Sequence, residues 1–368
     1  MFDAGRRQAL SGRSILLLPR YTRRGPSSRL RMMQFVPALE AAGARIDCAP
    51  FFDDAYLDFY FGQGRKSKLR SARAFTARFA TLRNRRADLY WIEKELFPYL
   101  PGWFEGTLAR RGATYVVDYD DAIFHAYDLN RHRAVRAALG GKLDPLLAGA
   151  TAVTAGNVYL GDYARRHGAR MVVDVPTVVD PSRYPVVPAP SGRRLRIGWI
   201  GTPSNARYLA PVIAALALIG ETVPVTLVTI GAPPLAGLPV PQETYPWTEE
   251  HEATLLSTID VGIMPLPDDP FERGKCGYKL IQYMAAGRAV AAAPVGVNVT
   301  IVDPDVGLLA ETPEQWATAI RQLANDPERR AAMGRAGRRK VEQVYSIDAV
   351  TPRLIETFVQ ALARSDAR

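Results

Sequence analysis

The sequence predicts an α/β protein made of two doubly wound parallel-sheet domains in tandem, and three features carry that expectation. The chain has 368 residues, too long for a single ordinary core and about right for two domains of roughly 150–200 residues each. Short apolar runs alternate with longer stretches of helical period, the mark of parallel βαβ units. Residues 174–194, DVPTVVDPSRYPVVPAPSGRR, hold five prolines and no helical period, so they read as the linker.

In the first half the apolar runs place strands at 15–18, 44–49, 89–92, 114–117, 152–154 and 171–173. After the first of these comes GPSSRLR, in which Ser27 or Ser28 is a natural N-cap for a helix running to Gly43. In the second half strands are expected at 195–200, 225–230, 261–264 and 289–293, followed from Thr312 by a helical tail that Pro327 and Pro352 interrupt. Domains are expected at 1–180 and 190–346. Two doubly wound sheets in tandem would bring their C-terminal strand ends to a shared cleft, where ligands of such folds bind.

With 48% hydrophobic residues and no apolar run of ~18, the composition is that of a soluble globular chain without a membrane span. The opening residues, MFDAGRRQALSGRSILLLP, have a basic start but too short an apolar run for a secretory signal. Two cysteines, Cys48 and Cys276, and four scattered histidines form neither a disulfide framework nor a metal motif, so a cytoplasmic protein with no metal and no cofactor is expected.

The net charge of +10 points to anionic partners. Residues 65–86, RKSKLRSARAFTARFATLRNRR, contain nine Lys or Arg and no acid. Leu69, Ala72, Phe75, Phe79 and Leu82 recur at helical spacing, with Lys66, Arg70, Arg73, Arg78 and Arg85 broadly opposite. That pattern fits an interfacial helix on an anionic membrane surface, or a helix packed on its domain with a solvated basic face. No recognition motif accompanies the charge, so no nucleic-acid partner is expected.

Several loops follow strand ends. GTPSNARYL begins with Gly201 and Thr202, and Ser204 or Asn205 is placed to cap a helix from about Ala206; this is an anion site or simply a capped helix. In FERGKCGYKLIQYMAAG, Gly274 and Gly277 flank Lys275 and Cys276 at the start of a helix that carries Lys279 and Gln282 at i and i+3. Amides, helix dipole and two ammonium groups converge there, as a phosphate requires. Near Thr114–Val117 the chain continues DYDDAIFH, where Asp118, Asp120 and Asp121 stand beside His125, either a DxD metal-nucleotide pattern or an Asp-rich turn.

Taken in order, GWIGTPSN, VTLVTIG, YPWTEEHEATLLSTIDVGIMPLPDD, KLIQYMAAGRAVAAAPVGVN and GLLAETPEQWATAI with NDPERRAAMGRAGRRKVEQVYS resemble the donor domain of glycosyltransferase family 4. SSRLRMMQF, IEKELFPYLP, DYDDAIF, TAGNVYL and VPTVVD resemble the acceptor domain of that family's bacterial polysaccharide and lipopolysaccharide branch. The resemblance implies a GT-B fold with a C-terminal helix, 347–368, crossing back to the first domain. It also implies transfer of a sugar from a nucleotide-sugar donor to a saccharide or lipid-linked acceptor, with retention and without metal.

On this reading Asp120, Asp121 and His125 orient or deprotonate an acceptor hydroxyl, with Ser27, Ser28 and Arg29 on the same side. Lys275, Lys279 and Arg207 balance the donor diphosphate, beside Gly201, Thr202, Cys276 and Gly277. Tyr245 and Trp247 offer ring faces to the base, a core role for Trp247 remaining open. The family's two donor-site glutamates, spaced E-x7-E, are replaced by Gly274 and Gln282. Gln282 keeps an acceptor for a ribose hydroxyl, while Gly274 offers only its amide. A cytoplasmic protein peripheral to the inner membrane face is implied; the rival readings are a nucleotide-sugar binder without transferase activity and a nucleotide-sugar epimerase.

Overall fold

The structure is a computed structural model, and the residues it describes are 8–65, 67–188 and 194–366. Lys66 of the basic stretch, 189–193 of the Pro-rich stretch, the first seven residues and the last two lie outside them. The chain divides into two compact units, Met1–Thr177 with Val350–Arg368, and Val178–Ala349.

The first unit is built on six parallel strands, β1 (Ser14–Leu18), β2 (Arg45–Cys48), β3 (Leu89–Glu93), β4 (Tyr115–Tyr119), β5 (Ala152–Ala155) and β6 (Val172–Asp174). Their order is β2-β1-β3-β4-β5-β6, so the direction of winding reverses once, between β1 and β3. LYWIE and YVVDY are buried at every position because helices cover both faces of the centre, whereas RIDC at the edge is largely exposed. The helix expected from the serines to Gly43 is divided into Pro26–Arg31, a 3-10 turn at Met33–Phe35, and Val36–Ala41. Pro37 lies in the first turn of the last piece, because it has no N–H to continue the helix before it. Neither serine caps the first piece; its N-cap is Gly25.

The basic stretch forms the helix Lys68–Asn84, and its packing corrects the sequence reading. Arg78, expected on the basic face, is buried with Ala74 and Leu82 at spacings of four. Its guanidinium donates to the carbonyls of Pro19 and Ala49 (3.1 and 3.2 Å), which explains why a charge is tolerated there. Burial holds it below the ordinary arginine value, to about 10. Phe75 packs edge-on to Phe51, and Phe79 stacks on Phe97. Leu69 remains 82% exposed, next to exposed Arg70 and Arg73. The C-terminal helix Ile347–Asp366 belongs to this unit from Val350 onward. There Phe358 meets Trp91 at 5.1 Å, and Arg353 donates to the carbonyl of Asp174.

The second unit also has six parallel strands: β7 (Leu195–Ile200), β8 (Val225–Ile230), β9 (Gln242–Tyr245), β10 (Val261–Met264), β11 (Ala289–Ala292) and β12 (Gly307–Leu309). They are arranged β12-β11-β10-β7-β8-β9, with the reversal between β7 and β10. The two strands that the sequence did not suggest, β9 and β12, are the two edges. Trp199 and Trp316 lie in the core on one face of the sheet, and Tyr283 in the cluster on the other. The helix Pro313–Asn325 starts with a capping box between Thr312 and Gln315.

Much of the expected linker is part of this second unit. The Val179 amide donates to the carbonyl of Tyr345 and its carbonyl accepts from Ile347, while Val178, Val179 and Tyr184 are buried. The prolines keep the segment extended, but its apolar side chains are too valuable to the core to remain in solvent.

Candidate functional site

Two groups of residues gather at the C-terminal ends of the strands, one in each unit. In the second unit β7 is followed by Gly201 and β8 by Gly231. Gly231 has φ 87°, and a Cβ on it would lie 2.7 Å from the Gly201 carbonyl oxygen and 3.2 Å from Trp247 Cβ. Only glycine allows these loops to approach so closely. A Cβ on Gly201 would in turn lie 3.2 Å from Lys279 Nζ, an ammonium also 4.9 Å from the Trp199 ring centroid.

Lys279 is on the first turn of the helix Tyr278–Ala285, whose N-cap, Gly277, contributes no side-chain cap. Gly277 has φ 65°, and a Cβ there would run into Ile301 at 2.2 Å. Among the described residues no carboxylate pairs with Lys279. Burial, and then Lys275, push its ammonium from 10.5 down to about 8. Lys275 itself has Nζ 4.6 Å from the Phe271 ring centroid. Lys279 thus stands, with Lys275 close by, at a helix N-terminus that has no side-chain cap, a place that favours an anion.

Other expected donor residues are placed differently. Pro203–Leu209 is a 3-10 turn, and the α-helix begins only at Ala210, ahead of Pro211. Ser204 therefore caps no α-helix; its hydroxyl bonds Thr202 Oγ1 (3.0 Å), and Asn205 supplies no cap either. Arg207 is exposed and donates to Tyr208 Oη (3.3 Å), which donates to the buried Glu272. Thus Glu272, two residues before Gly274, is engaged with Tyr208. The Gly274 amide, expected to face a ligand, donates instead to the Phe271 carbonyl because Gly274 closes the short helix Pro270–Arg273. Cys276 is buried.

The aromatic candidates separate clearly. Tyr245 is half-buried, and its hydroxyl donates to Glu243, which Arg196 holds through two hydrogen bonds. Trp247 is 37% exposed and is not part of the core; its Nε1 donates to Glu252 (2.7 Å). Gln282 is buried, with Nε2 donating to Tyr184 Oη (3.3 Å).

In the first unit, the ends of β3 and β4 carry a charged network. Arg31 grips Asp118 through two hydrogen bonds (2.9 and 2.7 Å), and Thr154 donates to the same carboxylate. Asp118 is therefore spoken for by the fold, and among the described residues no group of His, Cys, Asp or Glu has the arrangement of a metal site. Lys94, at φ 65°, turns the chain at the end of β3 so that Nζ lies 2.8 Å from Asp120 and donates to Ser27 Oγ (3.2 Å). A left-handed non-glycine costs about 1 kcal/mol, and this pairing offsets it. Burial alone would raise the Asp120 carboxyl, but Lys94 and Arg31 hold it below the usual range.

Ser28 is fully buried and donates to Glu93 (2.5 Å), whose carboxyl burial pushes up. Arg29 is also buried. Asp121 accepts from the Ala122 amide. His125 has both ring nitrogens engaged, Nδ1 with Asp128 (2.8 Å) and Nε2 with Tyr159 (2.7 Å), so its ring is oriented by its neighbours. Sequence reasoning overlooked Arg31, Glu93, Lys94, Glu95, Glu105 and Lys142. The available signal was the triplet Glu93-Lys94-Glu95 directly after the apolar run LYWI, an odd place for three charges unless they pair.

Two Rossmann-like units, with the C-terminal helix returning to the first, make up the GT-B fold of glycosyltransferases. Residues 194–326, within the second unit, match the family described as Glycosyl transferases group 1. It is 33% identical over 108 residues to a D-inositol 3-phosphate glycosyltransferase of Thermobispora bispora, covering 28% of this chain and 24% of that protein. The alignment thus spans about a quarter of that relative's length. Among solved structures, the sucrose-phosphate synthase from Thermosynechococcus elongatus superposes with a TM-score of 0.69 at 17% identity, covering 96% of this chain and 100% of that one. HepE of Anabaena in complex with UDP-glucose gives 0.68 at 15% identity, over 94% and 99%.

Proposed function

We propose that the chain is a retaining glycosyltransferase that moves a sugar from a nucleotide-sugar donor to a saccharide or lipid-linked acceptor in bacterial cell-surface polysaccharide synthesis, without a catalytic metal. The observation that carries this reading is Lys279: an ammonium with no carboxylate partner among the described residues, at an uncapped helix N-terminus and beside Gly201, which Gly231 closely approaches. Such a group stabilises the charge that develops on a departing nucleoside diphosphate. The relatives named above support it, since one carries a glycosyltransferase name and one fold neighbour was solved with UDP-glucose. In the first unit Asp120, kept ionised by Lys94, accepts a hydrogen bond from the acceptor hydroxyl, and Asp121 lies next to it.

A thermal-shift screen over UDP, GDP, ADP, CMP and dTDP sugars tests the donor half, because a ligand that binds the folded state raises the melting temperature. One nucleotide class should stabilise the protein by several degrees; no shift with any of them would refute the reading. A second reading, a sugar-nucleotide binder without transferase activity, draws on Gly274 and Gln282 standing in place of two glutamates. It predicts the same shift but no product with any acceptor. Incubation with donor alone separates the epimerase, which would release an epimer.

We place the protein at the cytoplasmic membrane face through the helix Lys68–Asn84. Leu69, Arg70 and Arg73 are exposed there, and each basic residue near an anionic surface contributes about 1 kcal/mol. The double variant Arg70→Glu, Arg73→Glu should lower partitioning onto phosphatidylglycerol vesicles by at least ~20-fold and leave neutral vesicles unaffected. Equal partitioning of variant and wild type would exclude the helix as the anchor.

A further inference from the structure

The indole of Trp247 and the amide of Gln282 are joined by two buried side chains. Trp247 Nε1 donates to Glu252 Oε2 (2.7 Å), Tyr184 Oη donates to Glu252 Oε1 (2.8 Å), and Gln282 Nε2 donates to Tyr184 Oη (3.3 Å). Tyr184, Glu252 and Gln282 are 3%, 5% and 2% exposed. Among the described residues no cation pairs with Glu252, so a carboxylate has been buried solely for two neutral donors. Burying a carboxylate costs free energy that hydrogen bonds from neutral donors offset less fully than a paired cation would.

The direction of the bonds shows what the carboxylate does there. Trp247 and Tyr184 both donate, so the residue between them must offer two acceptors and no donor, which an ionised carboxylate does and an amide does not. Tyr184, whose hydroxyl donates its hydrogen bond to Glu252, presents a lone pair to Gln282 and thereby fixes which end of that amide faces it. Gln282 Oε1 is turned the other way, and among the described residues nothing donates to it. The chain runs between two places already marked. Trp247 lies against Gly231, beside Gly201, and Gln282 is one turn along the helix from Lys279.

We propose that Glu252 and Tyr184 are positioning residues for the nucleoside half of the donor. Through one hydrogen-bonded chain they hold the exposed face of Trp247 as a stacking platform for the base, and the oxygen of Gln282 as an acceptor for a ribose hydroxyl. This rests on the nucleotide-sugar reading above. It also gives Tyr184 a reason to lie in the core when its segment looks like linker, and it explains how a glutamine serves at this position: its orientation, ambiguous in a free amide, is set by Tyr184.

The test uses the full chain and calorimetric affinities for UDP, GDP and ADP, with inorganic pyrophosphate as a probe of the phosphate site alone. Tyr184→Phe and Glu252→Gln should each weaken the preferred nucleoside diphosphate about five- to tenfold, reduce the quenching of Trp247 fluorescence on binding, and leave pyrophosphate affinity within twofold. Because the two act in one chain, the double variant should lose less than the product of the single losses. A variant with a merely loosened domain would lose both ligands together, which overturns the proposal. It is equally overturned, with the donor reading intact, if nucleoside diphosphate affinity is unchanged in both variants while Lys279→Ala weakens it. If no nucleoside diphosphate binds the wild type, the proposal and the donor reading fall together.

Discussion

Replacing Lys142 with methionine should destabilise the first unit by about 3–5 kcal/mol at pH 8, and most of that deficit should disappear by pH 5. Lys142 Nζ lies 2.6 Å from Glu95 and 2.9 Å from Glu105, and donates to the carbonyl of Phe97; all three charged side chains are 0–1% exposed. Glu95 retains Arg20 and the Tyr127 hydroxyl after the replacement, but Glu105 is left with only the amides of Leu96 and Phe97. A buried carboxylate without its cation is the penalty that dominates, since methionine fills the volume of the lysine stem.

The pH dependence follows from the direction of the shift. Burial already pushes the Glu105 carboxyl up, and Lys142 is the strongest influence pulling it back. In the variant its folded-state value rises further while the unfolded value stays ordinary. The folded state then binds the proton more tightly, so stability increases as pH falls through the folded value toward the unfolded one, by at most ~1.4 kcal/mol per pH unit for one proton. Urea unfolding followed by fluorescence at pH 5, 6.5 and 8 measures this. Lys340→Met, which breaks the partly exposed pair with Asp303, should change stability by less than about 1 kcal/mol. A pH-independent loss at Lys142 would mean that packing, rather than an uncompensated charge, is responsible.

The same contrast between local pattern and distant partner explains what could be read in the sequence. Strands such as LRIGWI and VTLVTI are recognisable because a strand covered on both faces must be apolar throughout. The edges QETY and GLL carry no such requirement, as each pairs with only one neighbour. Helical periodicity located the helix around residues 68–84 but assigned Arg78 to solvent. What overrides the pattern is the need to satisfy the carbonyls of Pro19 and Ala49.

In the candidate site, Lys279 and Gly277 were legible because helix start, glycine and lysine are adjacent in sequence. Tyr184 was not, since it is 98 residues from Gln282 and sits among prolines. Nor were Lys94 and Asp120 seen as a pair: nothing in the charges following LYWI names their partners, and it is the left-handed backbone at Lys94 that accompanies the contact of its ammonium with Asp120.

Lys279→Ala should weaken binding of the nucleoside diphosphate by roughly 10- to 100-fold, as expected for loss of a charge-assisted contact of about 1.5–3 kcal/mol. The variant should also lose a pH dependence that the wild type shows. Burial and Lys275 lower the Lys279 ammonium to about 8, so in the free protein it begins to discharge just above neutral pH. A bound diphosphate favours the charged form. Affinity should therefore be level below about pH 7 and fall by up to tenfold per unit above 8. Binding at pH 8.5 should take up a proton, detectable by calorimetry in two buffers of different ionisation enthalpy. Lys275→Ala removes the neighbouring charge and should move the break to higher pH. The unliganded protein should not suffer from Lys279→Ala: its ammonium is depressed from 10.5 in the folded state, so at pH 7 folding disfavours the charge, and removing it relieves that penalty. A variant that binds less tightly but melts no lower distinguishes a ligand contact from a structural one. Undiminished affinity with the pH break intact would rule out Lys279 as the phosphate-holding group.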